Sequence, residues 1–422
     1  MRVPRSVERL LQVRDGEVGA VAWGVVFHFA IFASYYAIRP LRDTFGVEGG
    51  VRNLPFLFLA TLVVTLVIQP PYAAVVSRMP RRVFVPLLFE FVAFNLLLFL
   101  GAMIAFPAGG VWIGRAFYVW LSVVNLFMIS LYWATMADLF RAEAAKRLFP
   151  LLAVGGTLGA IIGSSVAATL PSVMSPRMLL VVAVVGLQVV VLAAVRVTPA
   201  AHSTNADTAI GGGALDGFRE VVRSPFLLGI CAFMLLYTVT STFLYFQKTS
   251  IVEQVLTDRA MRTLFFARVD LAVNTLTLVA QVFVTGRVLR TFGVVVGLAS
   301  LPVVTLLGFV GVGIVPTLMA VAVFEVARKA FNYGMARPSR EVLYTAVSRE
   351  ERFKAKQLID TFVYRAGDQL GAWTSGLVIW LGFGVAGLAA VAAPVAALWI
   401  ALSVWLGRAF NRREAADENP SD

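Results

Sequence analysis

The chain has very few of the side chains that build disulfides and metal sites. It contains one cysteine, Cys231, and two histidines, His28 and His202, among 422 residues. A lone cysteine excludes an intrachain disulfide, and so few thiols and imidazoles argue against a Cys- or His-rich metal site. The sequence also lacks a Walker A pattern and a Ser/His/Asp arrangement, so we expect no enzymatic activity, no cofactor and no ATP-driven pumping.

Charge is scarce as well. Only 14% of the residues are charged and 59% are hydrophobic, which is too apolar for a soluble protein. Runs of about 20 apolar residues recur along the whole chain, the length that crosses a bilayer as a helix. The composition therefore predicts an all-α, multi-pass membrane protein. The apolar run after Glu17 is too long for the core of a signal peptide, so no cleaved leader is expected.

The apolar runs predict twelve helices in two sets of six. A segment with Pro199 and three consecutive glycines, 211–213, separates the sets and is typical of a flexible linker. The predicted organisation is a six-helix bundle over 1–196, a linker over 197–224, a second bundle over 225–411 and a tail over 412–422. The predicted helices are 17–41, 53–76, 83–106, 112–138, 147–170, 177–196, 225–247, 263–288, 293–314, 316–336, 356–381 and 384–407.

Loop charges predict the orientation. With both termini in the cytoplasm, 24 of the 36 lysines and arginines fall on the inside and 8 on the outside, as the positive-inside rule requires. Membrane topology thus accounts for the net charge of +12, and we expect no nucleic-acid partner.

The two halves share a pattern of small residues. Gly155, Gly159 and Gly163 recur every fourth residue in the fifth predicted helix, and Gly367, Gly371 and Ser375 do so in the eleventh. Such stripes let helix backbones approach closely. Two parallel six-helix repeats joined by a cytoplasmic linker are typical of the major facilitator architecture, which binds its substrate near the midplane between the halves.

Polar residues within the predicted helices mark the candidate site. Glu325, Arg328, Lys329 and Asn332 are spaced to share one helical face. Each charge at bilayer depth costs roughly 2.5–3.5 kcal/mol on insertion scales, and such residues usually face a bundle interior or a wet cavity. These positions therefore predict a polar interior. Other polar positions are Arg39, Arg42, Asp43, Lys248, Asp270, Asn274, Asp360, Arg365 and Asp368.

Cations outnumber carboxylates in this set, which favours a small anionic substrate, because guanidinium groups bind carboxylate and phosphate in a bidentate manner. We predict that the substrate is bound by Arg39, Arg42, Lys248, Asn274, Arg328, Lys329, Asn332 and Arg365. Asp43, Asp270, Glu325, Asp360 and Asp368 would balance charge or couple protons, and Asp138 would act in gating.

The alternative for each residue is a structural ion pair, such as Glu325–Arg328 or Arg365–Asp368. For His28 we expect a hydrogen bond to a neighbour rather than a role in proton transfer.

Three stretches resemble the ATP/ADP translocases of plastids and intracellular bacteria. They are SYYAIRPLRDTFGV at 34–47, WATMADLFRAEAAKRLFPL at 133–151 and REVLYTAVSREERFKAKQLIDTFVYRAGDQLG at 340–371. The resemblance implies a bacterial inner-membrane protein and matches Arg39, Arg42 and Asp43 to functional positions of that family. Two positions depart from its pattern: Asp368 stands where the family has Lys, and Leu121 stands near a family acidic residue.

Together these features predict a secondary transporter that works by alternating access. It would exchange or import a nucleotide or another phosphorylated or carboxylated metabolite, with a proton or counter-substrate, and would act as a monomer. One alternative is a proton-coupled exporter of amphipathic compounds. Another, outside transport, is a membrane scaffold or receptor with fully paired charges.

Overall fold

The computed structural model describes residues 17–106, 109–140, 142–197, 221–281, 285–347 and 359–418. Every regular element in these ranges is helical, which confirms the all-α prediction. The helices are α1 Val18–Glu48, α2 Leu54–Arg78, α3 Arg81–Ala105, α4 Gly110–Leu139, α5 Ala142–Thr169, α6 Met178–Val197, α7 Pro225–Val255, α8 Arg259–Val279, α9 Thr285–Ile314, α10 Leu318–Phe331, α11 Arg337–Leu343, α12 Tyr364–Trp380 and α13 Gly384–Glu418.

Nine of the helices in the described ranges are long and apolar enough to cross a membrane. The helices α8, α10 and α12 are not among them, since the first is too polar and the other two are short. These three helices carry half of the candidate site residues. The count of twelve spans stays a prediction.

Several boundaries differ from the predicted ones. The predicted eighth helix extended to residue 288, but α8 ends at Val279, and the residues from 285 onward lead into α9. Within α9, Gly293 breaks the helix with a φ of +72°, a left-handed conformation that favours glycine. The last helix continues to Glu418 rather than 407, because the Arg, Glu and Ala residues that follow are good helix formers. Most of the predicted linker, 198–220, lies outside the described residues.

Two π-helical turns interrupt the second half. The turn Asn332–Ala336 joins α10 to α11, and the turn Ile359–Val363 precedes α12. Single π turns inside helices are rare overall, and those that occur are often found at functional sites. Both turns carry candidate residues, Asn332 and Asp360.

The chain folds as two compact units. The first comprises Met1–Gly49, Ala60–Ala209 and Leu256–Leu271. Its central helix α1 packs against α4, α5 and α6. The core of this unit is aromatic, and Phe27 meets Phe89 and Tyr132 edge to face. The first half of α8 belongs to this unit.

The second unit comprises Gly50–Leu59, Ile210–Val255 and Ala272–Asp422. Here α7 packs against α12 and α13, while α9 packs against α13 and α10. The pairing of α7 with α12 repeats the pairing of α1 with α5 in the first unit, as expected for related halves. In both pairs the contact is made through the predicted stripe of small residues.

The glycine stripe of α5 lies directly on the backbone of α1. A Cβ atom built on Gly155 would lie 2.6 Å from the carbonyl oxygen of Val25, and one on Gly159 would overlap the backbone of Phe29. These glycines therefore serve helix packing, as predicted for the stripe.

Replacing Gly159 with Val is expected to destabilise the protein by about 1–3 kcal/mol or more, because the backbone of α1 must move to admit the side chain. A lower melting temperature in detergent would show this. Gly101→Val is the matched control, since no atom lies within 4 Å of a Cβ at that position in α3. Equal melting temperatures for the two variants would contradict the packing assignment.

Candidate functional site

The end of α1 carries a polar cluster in the first unit. Arg42 contacts the buried carboxylate of Asp43, with an Nη2–Oδ1 distance of 2.6 Å and an Nε–Oδ1 distance of 3.1 Å. Its guanidinium also lies over the ring of Tyr118, 5.3 Å from the centroid, and Nη1 lies 3.5 Å from Ser122 Oγ. Arg42 is thus held by α1 and α4 together.

Three polar contacts fix the first half of α8 to α1 within this unit. Arg39 forms an ion pair with the buried carboxylate of Asp270. The hydroxyls of Thr44 and Thr263 lie 3.0 Å apart. At the helix end, Arg259 donates to both carboxylate oxygens of Glu48, at 2.6 and 2.8 Å. Arg39 and Asp270 were predicted from the sequence as members of one polar set, and the structure pairs them directly.

A second cluster lies in the second unit, around Glu325 of α10. The Glu325 carboxylate sits between two ammonium groups. Lys248 Nζ lies 3.0 Å from Oε1 and 2.8 Å from Oε2, and Lys329 Nζ lies 2.6 Å from Oε1. The sequence-based alternative paired Glu325 with Arg328; the structure pairs it with the two lysines instead.

Arg328 is a buried cation with neutral partners. Its side chain donates to the hydroxyls of Ser241, Thr240 and Thr305 and to the carbonyl of Tyr237, at 2.7, 2.9, 3.2 and 2.9 Å. The residue is 3% exposed. Among the side chains that the structure describes, no carboxylate lies within 4 Å of this guanidinium. Its positive charge is therefore not neutralised by an ion pair within the described chain.

The ion pair between Arg365 and Asp368 on α12 is weak. Arg365 Nη1 lies 3.9 Å from Asp368 Oδ2, the long limit of an ion pair. Thr242 Oγ1 lies 3.4 Å from Asp368 Oδ1. Arg365 keeps 31% of its side chain exposed, more than Arg39 or Lys248 does. The local Arg365–Asp368 pair that the sequence offered as an alternative is therefore present only as a weak contact.

The remaining candidates are placed as follows. Asn332 is buried on the first π turn and donates to the Tyr237 hydroxyl at 3.0 Å. Asn274 is buried on α8. Asp138 is exposed near the end of α4, and its expected partner Arg141 lies outside the described residues. The side chain of Asp360 also lies outside the described part of the structure.

The groups that hold Arg328 were not predicted from the sequence. They are Tyr237, Thr240, Ser241 and Thr305. The first three belong to the polar run YTVTST at 237–242 on α7, an unusual composition for an apolar helix. That polar run is the feature of the sequence that could have identified these partners of Arg328, whereas nothing in the sequence around Thr305 marks it.

His28 is buried in the first unit and bonded as expected. Its Nδ1 lies 2.9 Å from the carbonyl oxygen of Leu152, and its ring stacks on Tyr132 with centroids 4.2 Å apart. Gly156 faces the ring so closely that a Cβ there would lie 2.6 Å from it. This imidazole is a packed structural group.

The two clusters differ in charge balance. In the first unit, Arg39 and Arg42 are matched by the carboxylates of Asp43 and Asp270. In the second unit, Lys248 and Lys329 contact the carboxylate of Glu325, while a third cation, Arg328, contacts none of the described carboxylates. The four described side chains of the second cluster therefore carry an excess of positive charge.

Comparison with known proteins connects the chain to transporters. No protein-family model matches it. The chain is 22% identical to ADP,ATP carrier protein 1 of Chlamydia pneumoniae over 357 aligned residues, which cover 73% of this chain and 69% of that protein.

The similar solved structures are transporters by name. The nucleoside transporter NupG matches with a TM-score of 0.61 and 13% identity, over 93% of this chain and 98% of NupG. A bacterial homologue of the lysosomal transporter Spinster matches with a TM-score of 0.60 and 12% identity, over 93% and 97% of the two chains. At these identities the likeness concerns the fold, and it confirms the all-α, major-facilitator-like architecture.

Proposed function

We propose that this protein is a secondary transporter that moves an anionic solute across a membrane by alternating access. The major-facilitator-like fold and the distant likeness to an ADP,ATP carrier support transport rather than catalysis. The observation that supports an anionic solute is Arg328, a buried guanidinium whose partners among the described residues are all neutral.

Burying a cation without a carboxylate is costly. The effective penalty for removing an ion from water is several kcal/mol even after the surroundings relax. Four hydrogen bonds to neutral groups replace lost hydration, but they leave the positive charge of the guanidinium in place. A bound phosphate or carboxylate would supply the missing negative charge and form stronger, charge-assisted bonds.

We propose the following roles for the candidate residues. Arg328, Lys329, Lys248, Asn332 and Arg365 would attract and hold the anion in the second unit. Arg39, Arg42 and Asn274 also remain predicted substrate-binding residues. Glu325, Asp360, Asp368, Asp43 and Asp270 would limit the excess charge when the solute is absent, and Asp138 would act in gating.

The solute we propose is a nucleotide or another phosphorylated or carboxylated metabolite. The carrier from Chlamydia pneumoniae is named for ADP and ATP, and NupG for nucleosides. Two features set this chain apart from the translocase pattern. Leu121 is buried in the apolar core of the first unit, and Asp368 places a negative group where that pattern has Lys. A substrate other than ATP and ADP would agree with both departures.

The setting of this activity is proposed with it. A monomer in a bacterial inner membrane, with both termini in the cytoplasm, would exchange the anion for a counter-substrate or move it with protons. The lysine and arginine distribution between loops supports that orientation.

A ligand panel followed by transport tests the proposal. We expect at least one nucleotide, sugar phosphate or organic acid to raise the melting temperature of the purified protein, since a ligand of the folded state stabilises it. The same compound is expected to enter proteoliposomes loaded with unlabelled compound. If no anion shifts the melting temperature and none is taken up, the proposal is wrong.

One observation favours the proton-coupled exporter as a second candidate. Among the described residues, the polar contacts of the Asp368 carboxylate are long, 3.4 Å to Thr242 and 3.9 Å to Arg365, so protonation would cost little in lost bonding. Transport of amphipathic compounds that stops when the proton gradient is collapsed, with no need for a counter-substrate, would support the exporter instead.

A further inference from the structure

The two lysines that contact Glu325 are not equivalent. Lys248 is 3% exposed at its side chain and faces both carboxylate oxygens, at 3.0 and 2.8 Å. Lys329 is 23% exposed at its side chain and lies 2.6 Å from Oε1. Lys248 is therefore the more buried of the two lysines, and Lys329 is the more accessible.

The carboxylate of Glu325 presents to these lysines the same chemistry as a solute oxyanion would. Both are pairs of charged oxygens that accept bonds from an ammonium group, and a lysine ammonium is a compact charge with rotatable donors that changes partners readily. Arg328, three residues after Glu325 on α10, adds a buried positive charge without an ion-pair partner in the described chain.

We infer that Glu325 competes with the transported anion for Lys329. The anion replaces Glu325 as the partner of Lys329, while Lys248 keeps Glu325 in place. This inference rests on the proposed function and specifies how the site sets its affinity. In the empty site Glu325 neutralises Lys329, and in the loaded site the solute does. The competition keeps binding weak enough for release, because every bound anion must displace an existing ion pair.

Removing the competitor is expected to tighten binding. In Glu325→Gln the anion identified by the panel should bind at least about 10-fold more tightly by titration calorimetry, and exchange in proteoliposomes should slow because release is slower. A purely structural Glu325–lysine pair that joins α7 to α10 would give the opposite result for the affinity: unchanged or weaker binding of the anion.

Lys329→Gln tests the other side of the exchange. This change leaves the buried Glu325–Lys248 pair intact, so the melting temperature of the empty protein should stay within a few degrees of the wild type. Binding of the anion should weaken at least about 10-fold. Wild-type affinity in this variant would overturn the inference.

Controls separate the possible failures. Glu48→Gln removes a carboxylate that binds Arg259 outside the second cluster and should leave the affinity unchanged.

If Glu325→Gln does not fold because Lys248 is left alone, the double variant Glu325→Gln/Lys248→Met removes that stranded charge and should still bind more tightly than Lys248→Met. If the wild type binds the anion but removal of Glu325 does not tighten binding, the inference fails alone; if the wild type binds no anion, the proposed function fails with it.

Discussion

Replacing Arg328 with Gln is expected to abolish anion uptake by proteoliposomes and to weaken anion binding at least ~100-fold. Removing one partner of a buried charge pair typically costs about 3–5 kcal/mol, and each 1.4 kcal/mol corresponds to a factor of ten in affinity. In this protein the buried guanidinium has only neutral partners in the described chain, so the bound solute would be the other member of the pair.

Two companion variants make the result specific. Arg328→Lys keeps the charge but loses the planar fork, so it should retain weak binding, about 10-fold below the wild type. Arg115→Gln is the matched control, because Arg115 also bonds a neutral group, the Gly49 carbonyl at 2.9 Å, but lies outside both clusters. Uptake at the wild-type rate by a monodisperse Arg328→Gln protein would show that Arg328 only joins helices.

Breaking the Arg39–Asp270 ion pair should cause a large loss of stability. Both groups are largely buried, with side-chain exposures of 14% and 4%. Either Arg39→Gln or Asp270→Asn leaves one buried charge without its partner, at a cost of about 3–5 kcal/mol. The double variant removes both charges and should recover a large part of that loss. Melting temperatures of the four proteins in detergent, with the fraction of monodisperse protein, would measure the coupling.

The Glu48–Arg259 pair is the matched control for this cycle. It joins the same two helices, α1 and α8, but its side chains are more exposed, at 17% and 36%. Exposed ion pairs contribute about 0–1 kcal/mol, so its cycle should give a coupling near that range. If the losses at Arg39 and Asp270 simply add in the double variant, the two side chains do not depend on each other and the pair has no special role.

Much of the architecture follows from local sequence patterns. The apolar runs predicted helices that the structure contains at similar positions, and the glycine stripe of α5 predicted the close contact with α1. The composition of α8, α10 and α12 pointed to the polar clusters, because charge within an apolar chain is expensive wherever it occurs. Patterns of this kind can be recognised in a sequence because they depend only on neighbours three or four residues away.

The partners of the charged groups were harder to predict. Glu325 and Arg328 have the spacing of a local pair, yet Glu325 contacts Lys248 of another helix, 77 residues away, as well as Lys329. The neutral partners of Arg328 on α7 and α9 were likewise missed. A side chain as long as arginine or lysine reaches several helices, and spacing along one helix does not decide among them.

By itself the sequence determined the helical class, the approximate spans and the kinds of side chain gathered at the site, because apolar runs and the cost of buried charge are properties of short segments. Only the tertiary structure decided which charges neutralise each other: Arg39 with Asp270, Glu325 with two lysines, and Arg328 with no carboxylate in the described chain. The reason is physical. Helix packing brings together atoms that are far apart in the chain, and electrostatic energies depend on distances of a few ångströms that no spacing in the sequence encodes.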